Sequence, residues 1–120
     1  MYNIYVAGKW GHKPQIDALN EDFNKIDKIN VVSNWTKRNE MNIINEQMLK
    51  MTADKDLEEI RMATCLVAIM DDDKYAYRGT FSEIGYALGL GKKVIIYCPG
   101  SYDTKEQKFT HYCMTNTFFW

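Results

Sequence analysis

Apolar residues along this chain fall into short continuous runs that alternate with stretches of helical spacing. The runs are typical of strands buried on both faces, and they comprise Tyr2–Ala7, Ile29–Val32, Cys65–Met70 and Val94–Tyr97. Apolar residues every three or four positions predict helices at about residues 14–26, 41–63 and 80–90. The second helix either continues through Thr52–Ala53 or breaks there, and Thr117–Trp120 would add a short fifth strand.

Alternating strands and helices predict an α/β fold. Because crossovers between parallel strands are right-handed, the economical topology is a doubly wound, flavodoxin-like parallel sheet of four to five strands in the order 2-1-3-4-5, with helices on both faces. We expect residues 1–120 to form a single domain. Such sheets bind ligands beyond the carboxyl ends of strands one and three, so residues 8–13 and 71–83 are expected to carry function.

Composition narrows the classes of partner. The chain has 15 basic and 16 acidic residues and a net charge of −1, so it offers no polycationic face for a nucleic-acid polymer. Cys65, Cys98 and Cys113 lack paired spacing, which argues against a disulfide framework and a zinc site. The chain shows no long apolar span and no signal-like start. We therefore expect a cytoplasmic protein that uses neither a metal nor another cofactor.

The helix predicted at the crevice carries a candidate catalytic acid. Glu83 falls in its first turn, where the positive end of the helix would keep a carboxylate ionised. This favours a nucleophile. The same residues, Thr80-x-x-Glu83, also match a capping box, in which the glutamate only satisfies the amide at the helix start. The segment alone favours the capping interpretation.

Three segments together resemble the nucleoside 2-deoxyribosyltransferase family. They are Ile4-Tyr-Val-Ala-Gly8, Asp56-Leu-x-x-Ile60, and Arg78-Gly-x-x-x-Glu83-x-Gly-Tyr-Ala-Leu-x-x-Gly-Lys-x-Val-Ile95. The Glu-x-Gly-Tyr-Ala helix followed by Gly-Lys-x-Val is the most specific part. The resemblance runs through most of the chain and implies the doubly wound fold expected above. It also implies cleavage of an N-glycosidic bond and assembly as a homodimer or larger homo-oligomer.

The resemblance assigns three catalytic roles. It implies that Glu83 attacks the sugar to form a glycosyl-enzyme intermediate, while Asp56 protonates the departing base. Tyr5 matches the family tyrosine that orients the nucleophilic carboxylate. Without the resemblance, Asp56 would be taken for a solvated acid on a helix, and Tyr5 for a packing residue.

Substrate contacts are expected from the two loops at the crevice. Asp71 and Asp73 are candidates for sugar hydroxyls, although an acidic triplet is more often a solvated turn. Trp10 or Trp35 would stack on a base unless they pack in the core. The expected substrate-binding residues are Gly8, Lys9, Trp10, Asp71, Asp73, Arg78, Gly79 and Ser82.

One departure leaves the reaction open. Many of the transferases that this sequence resembles carry a sugar-binding aspartate six residues before the nucleophile, where this chain has Tyr77. The acceptor is therefore either another nucleobase or water. The substrate is a 2′-deoxynucleoside or its 5′-monophosphate, whose phosphate would meet Arg78, Lys9 and helix-start amides. A non-catalytic nucleotide-binding or sensor module of the same fold is the alternative, since a degraded sugar site would suit it.

Overall fold

The computed structural model describes residues 1–38, 45–72 and 74–98, together with the backbone of 117–119. In the described residues, the first four strands alternate with three α-helices in chain order, and a fifth strand follows. The strands are β1 (Tyr2–Gly8), β2 (Ile29–Val31), β3 (Cys65–Ile69), β4 (Lys93–Tyr97) and β5 (Thr117–Phe119). The helices are α1 (Lys13–Asn24), α2 (Glu46–Met62) and α3 (Arg78–Gly89).

The strands form one parallel sheet in the order β2-β1-β3-β4-β5, which confirms the predicted topology. The apolar runs form strands because residues such as Val6, Leu66 and Val94 are fully buried in the core. Gly8 pairs with Ile69 in the register of β1 and β3, so these two strands end side by side. The loops that follow them therefore begin next to each other at one edge of the sheet.

A close approach between β1 and α1 fixes the first of these loops. A side chain at Gly8 would place its Cβ 2.2 Å from Cδ1 of Ile16, which is buried on α1. Atoms this close cannot both stay in place, so a larger residue at Gly8 would force the end of the Ile16 side chain to move. Pro14 in the first turn of α1 suits a helix start.

Helix α2 is continuous through Thr52–Ala53, which resolves the alternative left open by the sequence. The side chain of Asn45 caps its start by accepting the amide of Met48 at 2.9 Å. The apolar stripe predicted for this helix is only partly packed, because Met51 is 55% exposed. Met41 and Ile44, the other end of that stripe, lie outside the described residues.

Helix α3 begins two residues before the predicted position, at Arg78. Tyr77 precedes it in the left-handed conformation, with φ 53° and ψ 38°. Glu83 is consequently the sixth helical residue and lies in the second turn. The capping-box interpretation is wrong, because Thr80 is the third residue of the helix rather than its cap.

Candidate active site

A cavity of about 180 Å³ lies beyond the carboxyl ends of β1 and β3. This is the place that the strand order predicts for a ligand crevice. Its lining contains all three predicted catalytic residues and, of the predicted substrate-binding residues, Gly8, Trp10 and Gly79. The full lining is Tyr5, Gly8, Trp10, Trp35, Asp56, Tyr75, Tyr77, Gly79, Thr80 and Glu83.

The carboxylate of Glu83 is held by a phenol from the centre of the sheet. Tyr5 lies on β1, is 1% exposed, and donates its hydroxyl to Oε2 of Glu83. Burial raises the pKa of Glu83 to about 7, although the Tyr5 hydrogen bond opposes that rise. Burial and the nearby Glu83 carboxylate also raise the pKa of Tyr5, which therefore stays a hydrogen-bond donor.

These shifts change the expected electrostatics of Glu83. The sequence predicted a carboxylate kept ionised by the first turn of a helix. The residue lies in the second turn instead, where the field of the helix end has largely fallen off. With a pKa of about 7, Glu83 populates both protonation states near neutral pH.

Asp56 reaches the cavity from α2 and has a cationic partner that the sequence analysis missed. The Arg38 guanidinium donates to Oδ1 of Asp56 and lies 3.6 Å from Oε1 of Glu59. Burial raises the pKa of Glu59, which also accepts the amide of Asn34 at 3.0 Å. The interpretation of Asp56 as a solvated acid is wrong, because its side chain is paired and lines the cavity.

Aromatic rings form two walls of the cavity. Trp10 and Trp35 have ring centroids 6.0 Å apart and planes inclined by 33°. Trp35 is buried, and its Nε1 donates to the carbonyl of Val6 at 2.7 Å, which gives it a packing role. Tyr75 and Tyr77, which also line the cavity, meet edge to face with ring centroids 4.7 Å apart. Such walls provide the apolar, polarisable faces on which a flat base stacks.

One ion pair and one histidine–carboxylate contact join the loops outside the cavity lining. Lys9 Nζ lies 2.8 Å from Oδ2 of Asp72, and His12 Nδ1 lies 3.2 Å from Oδ1 of Asp71. The hydrogen bond between Lys9 and Asp72 raises the pKa of Lys9 and lowers the pKa of Asp72. Lys9 and Asp71 thus contact the opposite loop, and their substrate-binding roles stay predictions.

Arg78 and Ser82, two further predicted contacts, are not among the residues that line the cavity. Arg78 and Ser82 are exposed on α3, and the Ser82 hydroxyl donates to the carbonyl of Arg78 at 2.9 Å. Asp73 lies outside the described residues. Their substrate-binding roles likewise remain predictions.

A comparison with protein families decides the relationship of this chain. The model described as nucleoside 2-deoxyribosyltransferase matches residues 4–114. The chain belongs to this family. No curated protein matches the sequence significantly.

Solved structures of low sequence identity share the fold of this nucleoside 2-deoxyribosyltransferase family member. A 2-deoxyribosyltransferase from Bacillus psychrosaccharolyticus is 22% identical, with a TM-score of 0.68 over 97% of this chain and 85% of that one. Clostridium botulinum CMP N-glycosidase is 17% identical, with a TM-score of 0.66 over 98% and 87%. A 2-deoxyribosyltransferase from Leishmania mexicana is 19% identical, with a TM-score of 0.62 over 92% and 73%.

Tyr77, the departure from the related transferases, lies inside this family member's cavity wall. It is 2% exposed, and its hydroxyl accepts the amide of Asp72 at 3.0 Å and lies 3.4 Å from Oδ1 of Asp71. The aromatic ring of Tyr77 thus stands at the position for which the family resemblance implied a sugar-binding acid. The left-handed backbone of a bulky residue costs energy and is held by this packing.

Neither a metal-binding cluster nor a membrane-spanning helix is found in the described part of this family member. Within residues 1–38, 45–72 and 74–98, no group of three or more His, Cys, Asp or Glu side chains is arranged to hold a metal ion. None of the helices described for the chain has both the length and the apolar character needed to span a membrane.

Proposed function

We propose that this protein cleaves the N-glycosidic bond of a 2′-deoxynucleoside or its 5′-monophosphate through a glycosyl intermediate on Glu83. The single observation that carries the proposal is the Tyr5–Glu83 hydrogen bond in the wall of a cavity that also contains Asp56. Membership in the family supports deoxyribosyltransferase or N-glycosidase activity. Solved relatives named for both reactions share the fold.

In the first step, a carboxylate oxygen of Glu83 attacks the anomeric carbon while the bond to the base nitrogen breaks. The bonding electrons leave with the base, and Asp56, which enters this step in its protonated form, delivers its proton to the base. Tyr5 holds the attacking carboxylate in place through its hydroxyl. The oxocarbenium-like transition state is positive, so the ionised Glu83 carboxylate beside the anomeric carbon stabilises it.

In the second step, the ester between Glu83 and the sugar breaks. Attack by the nitrogen of another base gives transfer, and attack by water gives hydrolysis. Asp56 now accepts the proton of the incoming group, which microscopic reversibility requires. Trp10 and the edge-to-face pair of Tyr75 and Tyr77 provide walls against which a base is held.

The test is base release from a panel of deoxynucleosides and deoxynucleotides, followed by chromatography with and without a second free base. We expect free base from at least one substrate, and a new nucleoside if the reaction is transfer. Glu83→Gln should abolish release without unfolding the protein. Full release by that variant would refute the proposal.

A non-catalytic nucleotide-binding or sensor module is the second candidate. Tyr77 favours it, since a ring fills the wall position at which related transferases have an acid. Calorimetric titration with the same panel distinguishes the two functions. Binding with no base release from any substrate would support the module.

We further propose a homodimer or larger homo-oligomer. Helix α2 leaves large apolar side chains in solvent, with Leu49 and Met62 both 56% exposed. Burial of such side chains is a usual driving force for association. Sedimentation velocity should give a mass above 14.1 kDa, the mass of one chain. A single species at the monomer mass across micromolar concentrations would exclude assembly.

A further inference from the structure

Arg38 is a charged residue that pairs with Asp56 beside the cavity, and the proposed reaction gives it no role. It follows β2, and its backbone is anchored on both sides. Its amide donates to the carbonyl of Trp35 at 3.3 Å, and its carbonyl accepts a hydrogen bond from Nζ of Lys13. Trp35 is itself fixed to β1 through Val6. The base of the Arg38 side chain is therefore tied to the same strand that carries Tyr5.

The guanidinium of Arg38 bridges two acidic residues of α2. It donates to Oδ1 of Asp56 and lies 3.6 Å from Oε1 of Glu59, one helical turn away. The side chain is only 15% exposed. A planar, permanently charged guanidinium is suited to hold a carboxylate in one orientation. Asp56 is thereby restrained at the cavity wall.

Three carboxylates share the neighbourhood of Tyr5. The charges of Glu83, Asp56 and Glu59 all act on its phenol. The groups that act on Glu83 are Tyr5 from β1, Asp56 and Glu59 from α2, and Arg38. The two acids raise the pKa of Glu83, whereas Arg38 lowers it. Without Arg38, repulsion among the acids would make the ionised nucleophile less favourable.

We propose that Arg38 is a positioning residue for this site, which orients Asp56 at the cavity wall and offsets the negative charge that three carboxylates gather around Tyr5. The inference rests on the proposed function, in which Glu83 attacks as an ion and Asp56 handles the proton of the base. Arg38 acts through these two side chains.

The first test compares base release by Arg38→Gln, Arg38→Lys and the wild type across pH. Arg38→Gln should lower kcat by about tenfold or more while KM changes less, because orientation and charge act on the chemical step. The midpoint of its rate profile against pH should lie higher than that of the wild type. Arg38→Lys keeps the charge, so it should retain the wild-type midpoint but recover kcat only in part.

Arg61→Gln is the matched control. It removes another arginine that pairs with an acid of α2, since Arg61 Nη2 lies 2.5 Å from Oε2 of Glu58 on the exposed side of the helix. It should leave kcat and the pH midpoint unchanged. If Arg38→Gln behaves like this control while folded, the inference is overturned. If Arg38→Gln unfolds, a wild-type kcat in Arg38→Lys overturns the orienting role.

A second measurement does not require turnover. The Glu83 carboxyl carbon is titrated by NMR in protein labelled with ¹³C-glutamate, with its signal assigned by its loss in Glu83→Gln. The midpoint should be higher in Arg38→Gln than in wild type and Arg61→Gln. If this shift occurs but the wild type releases no base, the proposed function fails and the electrostatic role of Arg38 stands. An unchanged midpoint contradicts that role.

Discussion

Two carboxylates at the same edge of the sheet respond to their surroundings in opposite directions. In the inner pair, Tyr5 is buried and Glu83 is half-buried, and desolvation raises the pKa of Glu83 to about 7. The rim pair, Lys9 and Asp72, is partly exposed, and its hydrogen bond lowers the pKa of Asp72. The hydrogen bond from the neutral Tyr5 phenol does not offset the desolvation of Glu83, whereas the hydrogen bond from the charged Lys9 outweighs the smaller desolvation of Asp72. The difference leads us to expect reactivity at the inner pair and loop tethering at the rim pair.

The strongest way to break this comparison is to remove the inner carboxylate. Glu83→Gln should reduce base release by about 1,000-fold or more, because no nucleophile remains. Chromatographic initial rates give the measurement. Glu58→Gln, which changes an exposed acid of α2, is the control and should retain normal rates. Comparable rates in the two variants would remove Glu83 from the mechanism.

The next largest effect is expected at the second acid in the cavity lining. Asp56→Asn should lower kcat by about 100-fold, because the amide cannot deliver a proton to the departing base. Substrates whose leaving group needs no proton should be affected least. Asp54→Asn, an exposed neighbour on the same helix, serves for comparison. Equal losses for all leaving groups would argue for a purely structural effect.

The inner pair also predicts how stability depends on pH. The folded-state pKa of Glu83, about 7, lies above its ordinary 4.5, so the folded protein binds this proton more tightly than the unfolded chain. The resulting stabilisation is complete below pH 4.5 and is lost as pH rises through about 7. Relative to Glu83→Gln, the wild type should lose on the order of 2 kcal/mol in unfolding free energy between pH 5 and pH 8. Urea denaturation of both proteins at each pH measures this difference. If the unfolding free energies of the two proteins change in parallel with pH, the raised pKa of Glu83 is contradicted.

A fourth effect concerns activity below neutral pH. If ionised Glu83 is the nucleophile, kcat/KM should fall by about tenfold for each pH unit below its pKa of about 7. A rate profile in constant ionic strength gives the midpoint. Tyr5→Phe removes the hydrogen bond that favours the ionised form, so its midpoint should lie higher. A flat profile between pH 5 and pH 7 would contradict the assignment.

The smallest effect is expected at the rim. Asp72→Asn breaks the ion pair with Lys9 in a partly exposed setting, where salt and water already weaken it. The melting temperature should fall slightly at low ionic strength and match the wild type in 1 M salt. Scanning calorimetry at both salt concentrations gives the comparison. A large loss that persists in salt would show that the rim contributes more than the difference in burial implies.

Most of the fold was predictable because buried positions are apolar and recur along the sequence with the period of the strand or helix that carries them. The four main apolar runs correspond to β1 to β4, and the strand order follows from the handedness of the crossovers. The start of α3 was misplaced. Tyr77 adopts a left-handed conformation that a bulky residue rarely takes. Neither the composition nor the spacing of apolar residues therefore predicts that the helix begins directly after it.

The candidate site was predictable only in part. Tyr5, Asp56 and Glu83 were recognisable through the family resemblance, and all three line the cavity. Arg38 and Tyr75 were missed, because a basic or aromatic residue in a polar loop is usually solvated. The only available signal for Arg38 was its position after the second strand, near the functional edge of the sheet.

The sequence by itself determined the layered architecture, the family and the edge of the sheet that carries the chemistry, because these depend on local patterns of apolar and motif residues. Tertiary structure alone decided that Tyr5 bonds Glu83 across 78 positions and that Arg38 meets Asp56. It also decided whether the pKa of a carboxyl group is raised, as at Glu83, or lowered, as at Asp72. These properties depend on desolvation and on distances between side chains from different elements, and neither quantity exists until the chain has folded.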